Sequence, residues 1–325
     1  MKAVVCSEFA PLDHLSVKDV DSPALKNGQV GIAVHACGIN FPDILMVQGK
    51  YQVKPELPFY PGGEVAGVVS EVANDVKDIQ LGSRVMATIF WGGLAEQAVA
   101  AAHTIVPIPE QMDFLTASVF QGGHTTSYYA LKQCGHLKPG ETLLVLGAAG
   151  GVGLAAVQLG KAMGATVIAA VGNEAKQQCV LQHGADFAIN YNAEDLKERA
   201  KELTNGRGAD VILDPVGGDV FDIASRCVNS QGRILIVGFA SGRIPKYSVN
   251  LALLKSCSLI GVNYQHFFAT EHAQVEQNFK ELMQMVAQEK IKPHIDKVFS
   301  LDESVKALQH VEQRKAIGKV VVSVC

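Results

Sequence analysis

Two hydrophobic rhythms divide the chain. Over roughly the first 120 residues, short alternating runs of valine, isoleucine and alanine are broken by glycine and proline, and the alternation predicts strands over 29–36, 67–72 and 84–89. Pro61-Gly62-Gly63 and Trp91-Gly92-Gly93 mark the turns between them. Such punctuation predicts a compact β barrel or sandwich with few helices.

From about residue 139 the pattern becomes strand, turn, helix. Residues 142–146 form an unbroken apolar run, 152–163 read as a helix and 166–171 as the next strand, with further strands predicted over 188–190, 211–214, 233–238 and 258–262. Continuous apolar strands alternating with helices imply a parallel sheet covered on both faces. A polar helix is expected over 271–289, and the terminal apolar run 318–324 has no helix after it, so it is expected to return to the β-rich part. The predicted fold class is therefore α/β. A Rossmann-type, doubly wound parallel sheet over 121–261 is inserted into a discontinuous β-rich domain of 1–120 plus 262–325.

Composition narrows the function classes. A chain of 325 residues outgrows a single hydrophobic core, and 48% hydrophobic with 18% charged residues describes an ordinary globular enzyme. A net charge of −4 without a Lys/Arg cluster gives no electrostatic reason to expect nucleic acid. The apolar run before Ser7 and Glu8 is too short for a signal peptide, and no stretch approaches the roughly 20 residues that span a bilayer. A cytoplasmic protein is expected. The seven cysteines are scattered and odd in number, as expected of reduced, mostly buried thiols.

The chemistry begins at Gly147-Ala148-Ala149-Gly150-Gly151-Val152-Gly153, between a predicted strand and a predicted helix. A glycine turn opening a helix presents unpaired backbone N–H groups and the positive helix end to a pyrophosphate. Gly150 and Gly153 have the spacing of the last two glycines of the dinucleotide fingerprint, while Ala148 stands where the first would be. About 20 residues further on, where a carboxylate would grip a ribose 2′-OH, the chain has Gly172 and Asn173. Without a carboxylate a 2′-phosphate meets no repulsion, and Lys176 is near enough to pair with it, with Tyr191 a second candidate at the adenine-ribose end. NADPH is the expected cofactor.

Together these features resemble the medium-chain dehydrogenase/reductase superfamily, specifically its zinc-free quinone oxidoreductase branch, which includes zeta-crystallin. The resemblance covers essentially the whole chain and rests on Cys37-Gly38-Ile39-Asn40-Phe41-Pro42-Asp43, Pro61-Gly62-Gly63-Glu64-Val65-Ala66-Gly67, the glycine turn, Gly184-Ala185-Asp186 and Gly318-Lys319-Val320-Val321. It implies that the β-rich domain is GroES-like. Asn40 and Gly63 stand where zinc-dependent members carry a cysteine and a histidine ligand, and the four-cysteine structural lobe is missing. No metal is therefore expected, and His35, His103, His124 and His136 read as ordinary histidines.

The resemblance also implies a function. A hydride donor without a Lewis acid suits quinones and α,β-unsaturated carbonyl compounds, whose charge spreads onto an oxygen that hydrogen bonds can stabilise. The acceptor is expected in a cleft beside the nicotinamide. By resemblance Asn40 and Thr125 flank the nicotinamide, Val237 and Phe239 follow the sheet strand there, and Lys319 approaches the cofactor. The turn residues Ala148, Ala149, Gly150, Gly151, Val152 and Gly153, with Gly172, Asn173, Lys176 and Tyr191, complete the cofactor set. Asn40, Tyr51 and Thr125 are the catalytic candidates, while Asp43 and Glu64 read as loop-holding groups. Residues 44–60 and 262–270 are expected to shape an aromatic substrate pocket. A homodimer through edge strands of the nucleotide domain is the implied assembly. The alternatives are an enoyl-thioester reductase of the same fold, and a non-catalytic role as an NADPH-binding, crystallin-like or RNA-contacting protein.

Overall fold

The computed structural model describes residues 1–324. The chain forms two compact units, Met1–Gly122 with the segment from Pro293 onward, and Gly123–Lys292.

The first unit is built on a seven-stranded sheet. Along it run Ile295–Ser300, Lys319–Ser323, Gln29–Ile39, Glu64–Val72, Arg84–Thr88 and Ile105–Pro107, and Gln97–Ala101 pairs with Gln29–Ile39 off this path. Val30, Ile32, Val34, Val65, Val85, Val320 and Val322 fill its core, as alternation on a half-buried sheet demands. The strand expected to end at residue 36 continues to Ile39. Its last four residues pair with Lys319–Ser323, which supplies hydrogen bonds invisible in local sequence. A short helix, Phe41–Val47, follows at once and was not foreseen in the alternation.

The second unit carries a six-stranded, all-parallel sheet. Its strands, in chain order, are Thr142–Leu146, Thr166–Val171, Phe187–Asn190, Ala209–Asp214, Val228–Ile236 and Ser258–Gly261. Numbered in that sequence, they lie side by side as 3-2-1-4-5-6, the Rossmann order. Thr142–Leu146 is buried at every position, which is why it reads as a continuous apolar run. Its switch point lies between Thr142–Leu146 and Ala209–Asp214, which pair directly while the chain winds away from them in opposite directions.

The later boundary falls at Pro293, not at residue 262. Helices Tyr264–Thr270 and His272–Ala287 belong to the second unit because polar pairs bind them there. The Glu281 carboxylate accepts from Tyr128 and Lys132, and Gln133 donates to Asn278 at 2.7 Å. The polar helix predicted over 271–289 is therefore not part of the β-rich domain. No helix among the described residues is long and apolar enough to cross a membrane.

Candidate active site

In the second unit the strand Thr142–Leu146 ends at Gly147, which adopts φ +56°. A Cβ there would lie 2.6 Å from Val216, so this glycine makes the tight turn. Ala148, at the first fingerprint position, is buried and its N–H donates to Ala170 O. Gly150 caps the twelve-residue helix Gly151–Ala162 without a side-chain hydrogen bond. The N–H groups of Gly151, Val152 and Gly153 lie in the first turn, where no intrahelical acceptor exists. Gly153 allows helix and turn to touch, since its Cβ would meet Gly147 O at 2.3 Å and Ala148 Cα at 2.8 Å.

The end of the next strand carries the ribose candidates. Asn173 caps helix Glu174–Gln182 by accepting from the Lys176 N–H at 2.9 Å. Asn192, which sequence reasoning passed over, donates to Gly172 O at 2.8 Å, and a Cβ on Gly172 would sit 3.2 Å from the Tyr191 hydroxyl. Tyr191 itself packs, half-buried, against the sheet core. Gly172, Asn173, Tyr191 and Asn192 thus lie together at one end of the sheet, with the backbone of Lys176 bonded to Asn173.

At the other side of the switch point stands Asp214, fully buried. Its Oδ1 accepts from the N–H groups of Val216 and Gly217 at 2.8 and 2.9 Å, while Oδ2 has no hydrogen-bond partner among the described residues. Burial pushes this carboxyl above the usual range, and the two N–H donors oppose that. The Val237 N–H donates to Asp214 O at 2.9 Å, and the half-exposed Phe239 ring would lie 3.0 Å from a Cβ on Gly217. An aspartate closing a buried parallel strand before Pro215-Val216-Gly217-Gly218 is the signal that could have marked it.

Thr125, buried in the second unit, shares a side-chain hydrogen bond with Tyr264. Burial raises the Tyr264 phenol, and that bond partly offsets the rise. Tyr264 lies 6.1 Å, ring centre to ring centre, from each of Tyr129, Phe267 and Phe268, and Tyr129 stacks on Phe267 at 4.2 Å.

In the first unit, three neighbouring strands deliver a polar cluster. Lys319 opens Lys319–Ser323, Asn40 follows Gln29–Ile39, and Glu64 opens Glu64–Val72. Gly38 pairs with Glu64 across the sheet and must be glycine, because a Cβ would lie 2.1 Å from Ser118 O. The Lys319 ammonium donates to Asn40 Oδ1 at 2.6 Å and to Glu64 Oε2 at 3.0 Å. Asn40 Nδ2 donates to Glu64 Oε2 at 3.0 Å and to Gly38 O at 3.4 Å, and the Gly122 N–H donates to Glu64 Oε1 at 2.8 Å. Asp43, fully buried, accepts from the Asn40 N–H at 2.7 Å. Burial pushes its carboxyl up to about 7, against the lowering pull of the Asn40 N–H and the Lys319 ammonium.

The cluster sorts the sequence candidates. Asn40 and Lys319 meet directly, and Glu64, set aside as a loop-holding group, is the acceptor that joins them. Tyr51 packs, partly buried, against the apolar core of this unit.

Comparison with known proteins gives the family. Residues 26–110 match the alcohol dehydrogenase GroES-like domain, and residues 151–288 match the zinc-binding dehydrogenase family. The quinone oxidoreductase-like protein 2 homolog of Nematostella vectensis is 40% identical over 99% of this chain and 88% of its own length. The chain belongs to the medium-chain dehydrogenase/reductase superfamily, in its quinone oxidoreductase branch. Among solved structures of similar shape, a probable oxidoreductase from Mycobacterium abscessus is 37% identical with a TM-score of 0.90, covering 100% of this chain and 99% of its own. The quinone oxidoreductase of Escherichia coli, solved as a complex with NADPH, is 29% identical with a TM-score of 0.93 over 100% of both chains. As a member of this superfamily the chain is an oxidoreductase, with a Rossmann sheet in the second unit and a GroES-like fold in the first.

Proposed function

We propose that the chain is an NADPH-dependent reductase of quinones or α,β-unsaturated carbonyl compounds that works without zinc. The observation that carries this reading is the Asn40–Glu64–Lys319 cluster. A buried ammonium already neutralises Glu64 and occupies Asn40 Oδ1, so a metal ion would have to displace it. Asn40 offers an amide, and Gly63 has no side chain at all, so neither supplies the thiolate or imidazole that a catalytic zinc prefers.

The nucleotide edge fits the cofactor. The N–H groups of Gly151, Val152 and Gly153 suit a pyrophosphate, and the close contact at Gly153 keeps that cradle clear of side chains. Gly172, Asn173, Lys176, Tyr191 and Asn192 offer amide, ammonium and hydroxyl groups and no carboxylate, which suits a 2′-phosphate. A reduced nicotinamide, when bound, supplies a hydride. Thr125 with Tyr264, and Phe239 beside Gly217, are the residues of this unit assigned to hold its ring.

A homodimer is part of this reading. Helix Val249–Lys255 leaves Val249 81%, Leu253 80% and Leu254 74% exposed, beside the edge strand Ser258–Gly261, which pairs only with Val228–Ile236 among the described residues. An unpaired edge strand next to exposed apolar side chains favours a second copy of itself.

Dialysed protein with NADPH, assayed against 1,4-benzoquinone, a 2-alkenal and crotonyl-CoA, tests the substrate class. Turnover of the first two is expected, unchanged by a zinc chelator. Turnover of the thioester alone, or loss of activity on chelation, would overturn it.

A further inference from the structure

The hydrogen bonds of the polar cluster can be counted donor by donor. The Asn40 amide has no donor left: its two Nδ2 protons go to Glu64 Oε2 and Gly38 O, and Oδ1 accepts from Lys319. The Asn40 backbone N–H is taken by Asp43 and the Gly122 N–H by Glu64. An ammonium carries three N–H donors, and Lys319 spends two, on Asn40 Oδ1 and Glu64 Oε2. Its side chain is 7% exposed, which shelters it from bulk water.

We propose that Lys319, through its third N–H, is the donor that stabilises negative charge on the acceptor's carbonyl oxygen, and that Asn40 positions Lys319 and does not itself bind the acceptor. The inference rests on the reductase reading above. Quinones and conjugated carbonyl compounds share one feature: the electron pair that arrives as hydride from a reduced nicotinamide ends on an oxygen. A fixed cationic donor in a sheltered place stabilises that oxygen more than water does, because its orientation is already set. The Lys319 N–H bond is not broken; the oxygen takes its final proton from solvent after the charge has formed. Glu64 and Asn40 hold the ammonium from two sides and so fix where its remaining proton can go. The sequence alone points to Asn40 as the amide donor, because the commitment of both its amide protons appears only when Gly38 and Glu64 are brought beside it.

The test uses 4-nitrophenol, whose phenolate absorbs visibly and stands in for the charged oxygen, on the whole protein without NADPH. Wild-type protein is expected to lower the apparent pKa of the phenol by ~1 unit, the shift that a cation in contact produces. K319R should retain that shift and K319M abolish it. With NADPH and benzoquinone, K319M should lose about a hundredfold in kcat, the loss seen when one oxyanion donor is removed, with its calorimetric Kd for NADPH unchanged. A wild-type protein that titrates 4-nitrophenol like free phenol overturns the proposal whether or not K319M folds. So does a K319M that keeps the shift, or one that loses NADPH affinity while keeping kcat. Wild-type protein that shifts the phenol but reduces neither quinone nor alkenal would instead sink the reductase reading and leave the donor assignment standing.

Discussion

Gln158 grips the backbone of Lys292 from both sides. Its Nε2 donates to Lys292 O at 2.8 Å and its Oε1 accepts from Lys292 N–H at 2.9 Å, with His124 Nε2 3.4 Å from the same Oε1. Gln158 lies on the helix that opens at the glycine turn, and Lys292 is the last residue of the second unit. Gln158 is buried, and replacing it with leucine leaves the Lys292 N–H and C=O without this partner. Gln158→Leu should lower stability by ~1–3 kcal/mol in urea unfolding, while Gln158→Glu, which keeps one of the two bonds, should lose less. Equal stability of the leucine variant and wild type would show that the clamp is not a structural contact of consequence.

Within the glycine turn Gly147 and Gly153 must be glycine, whereas Gly150 need not be. An alanine Cβ at Gly153 would lie 2.3 Å from Gly147 O, whereas at Gly150 its nearest neighbour is the same oxygen at 3.4 Å. Gly153→Ala should therefore cost ~1–3 kcal/mol and abolish saturable NADPH binding in calorimetry, because helix and turn are forced apart. Gly150→Ala should stay within ~0.5 kcal/mol of wild type in stability. The reverse ranking would mean that the turn has another shape.

Cofactor choice is carried by Lys176 in the reading proposed here. A charge-assisted hydrogen bond to phosphate is worth ~1.5–3 kcal/mol, so Lys176→Ala should weaken NADPH about 10- to 100-fold and leave NADH nearly unchanged. Equal losses for both, measured by titration calorimetry, would remove Lys176 from the 2′-phosphate.

Asp43 makes stability depend on pH in an unusual direction. Its carboxyl titrates at about 7 in the folded protein, well above the value of 3.8 expected of an ordinary aspartate, so between those two values the folded state holds a proton that the unfolded state has released. The contribution of Asp43 is fully present below about pH 4 and declines as pH rises towards 7, with a slope of at most ~1.4 kcal/mol per unit. The difference in unfolding free energy between wild type and Asp43→Asn, followed by urea titration from pH 4 to pH 8, should shift in favour of the asparagine variant as pH rises. A difference that stays constant across that range would mean that Asp43 is ionised throughout.

The exposed helix Val249–Lys255 predicts assembly. Wild-type protein should sediment as a dimer at micromolar concentration, and Leu253→Glu, which places a charge on a side chain 80% exposed in the single chain, should sediment as a monomer with its melting temperature in dilute solution unchanged. A monomeric wild type would leave this apolar face to another partner.

The amino-acid pattern by itself determined the parallel sheet and the turn that serves it. Strands buried on both faces write their hydrophobicity without interruption, and the strands over 142–146 and 166–171 stand where the pattern puts them. Glycines forced by close contact, such as Gly153, are likewise local and legible. Helix Phe41–Val47 was hidden because a short helix after a long strand leaves no periodicity to read. The assignment of helix His272–Ala287 to the second unit was hidden because Tyr128, Lys132 and Gln133 lie about 145 or more residues before their partners. Only the tertiary structure decided the polar cluster. Asn40, Glu64 and Lys319 are 24 and 255 residues apart along the chain and meet because three strands lie side by side, and sheet order is set by hydrogen bonds between distant segments that no local pattern records.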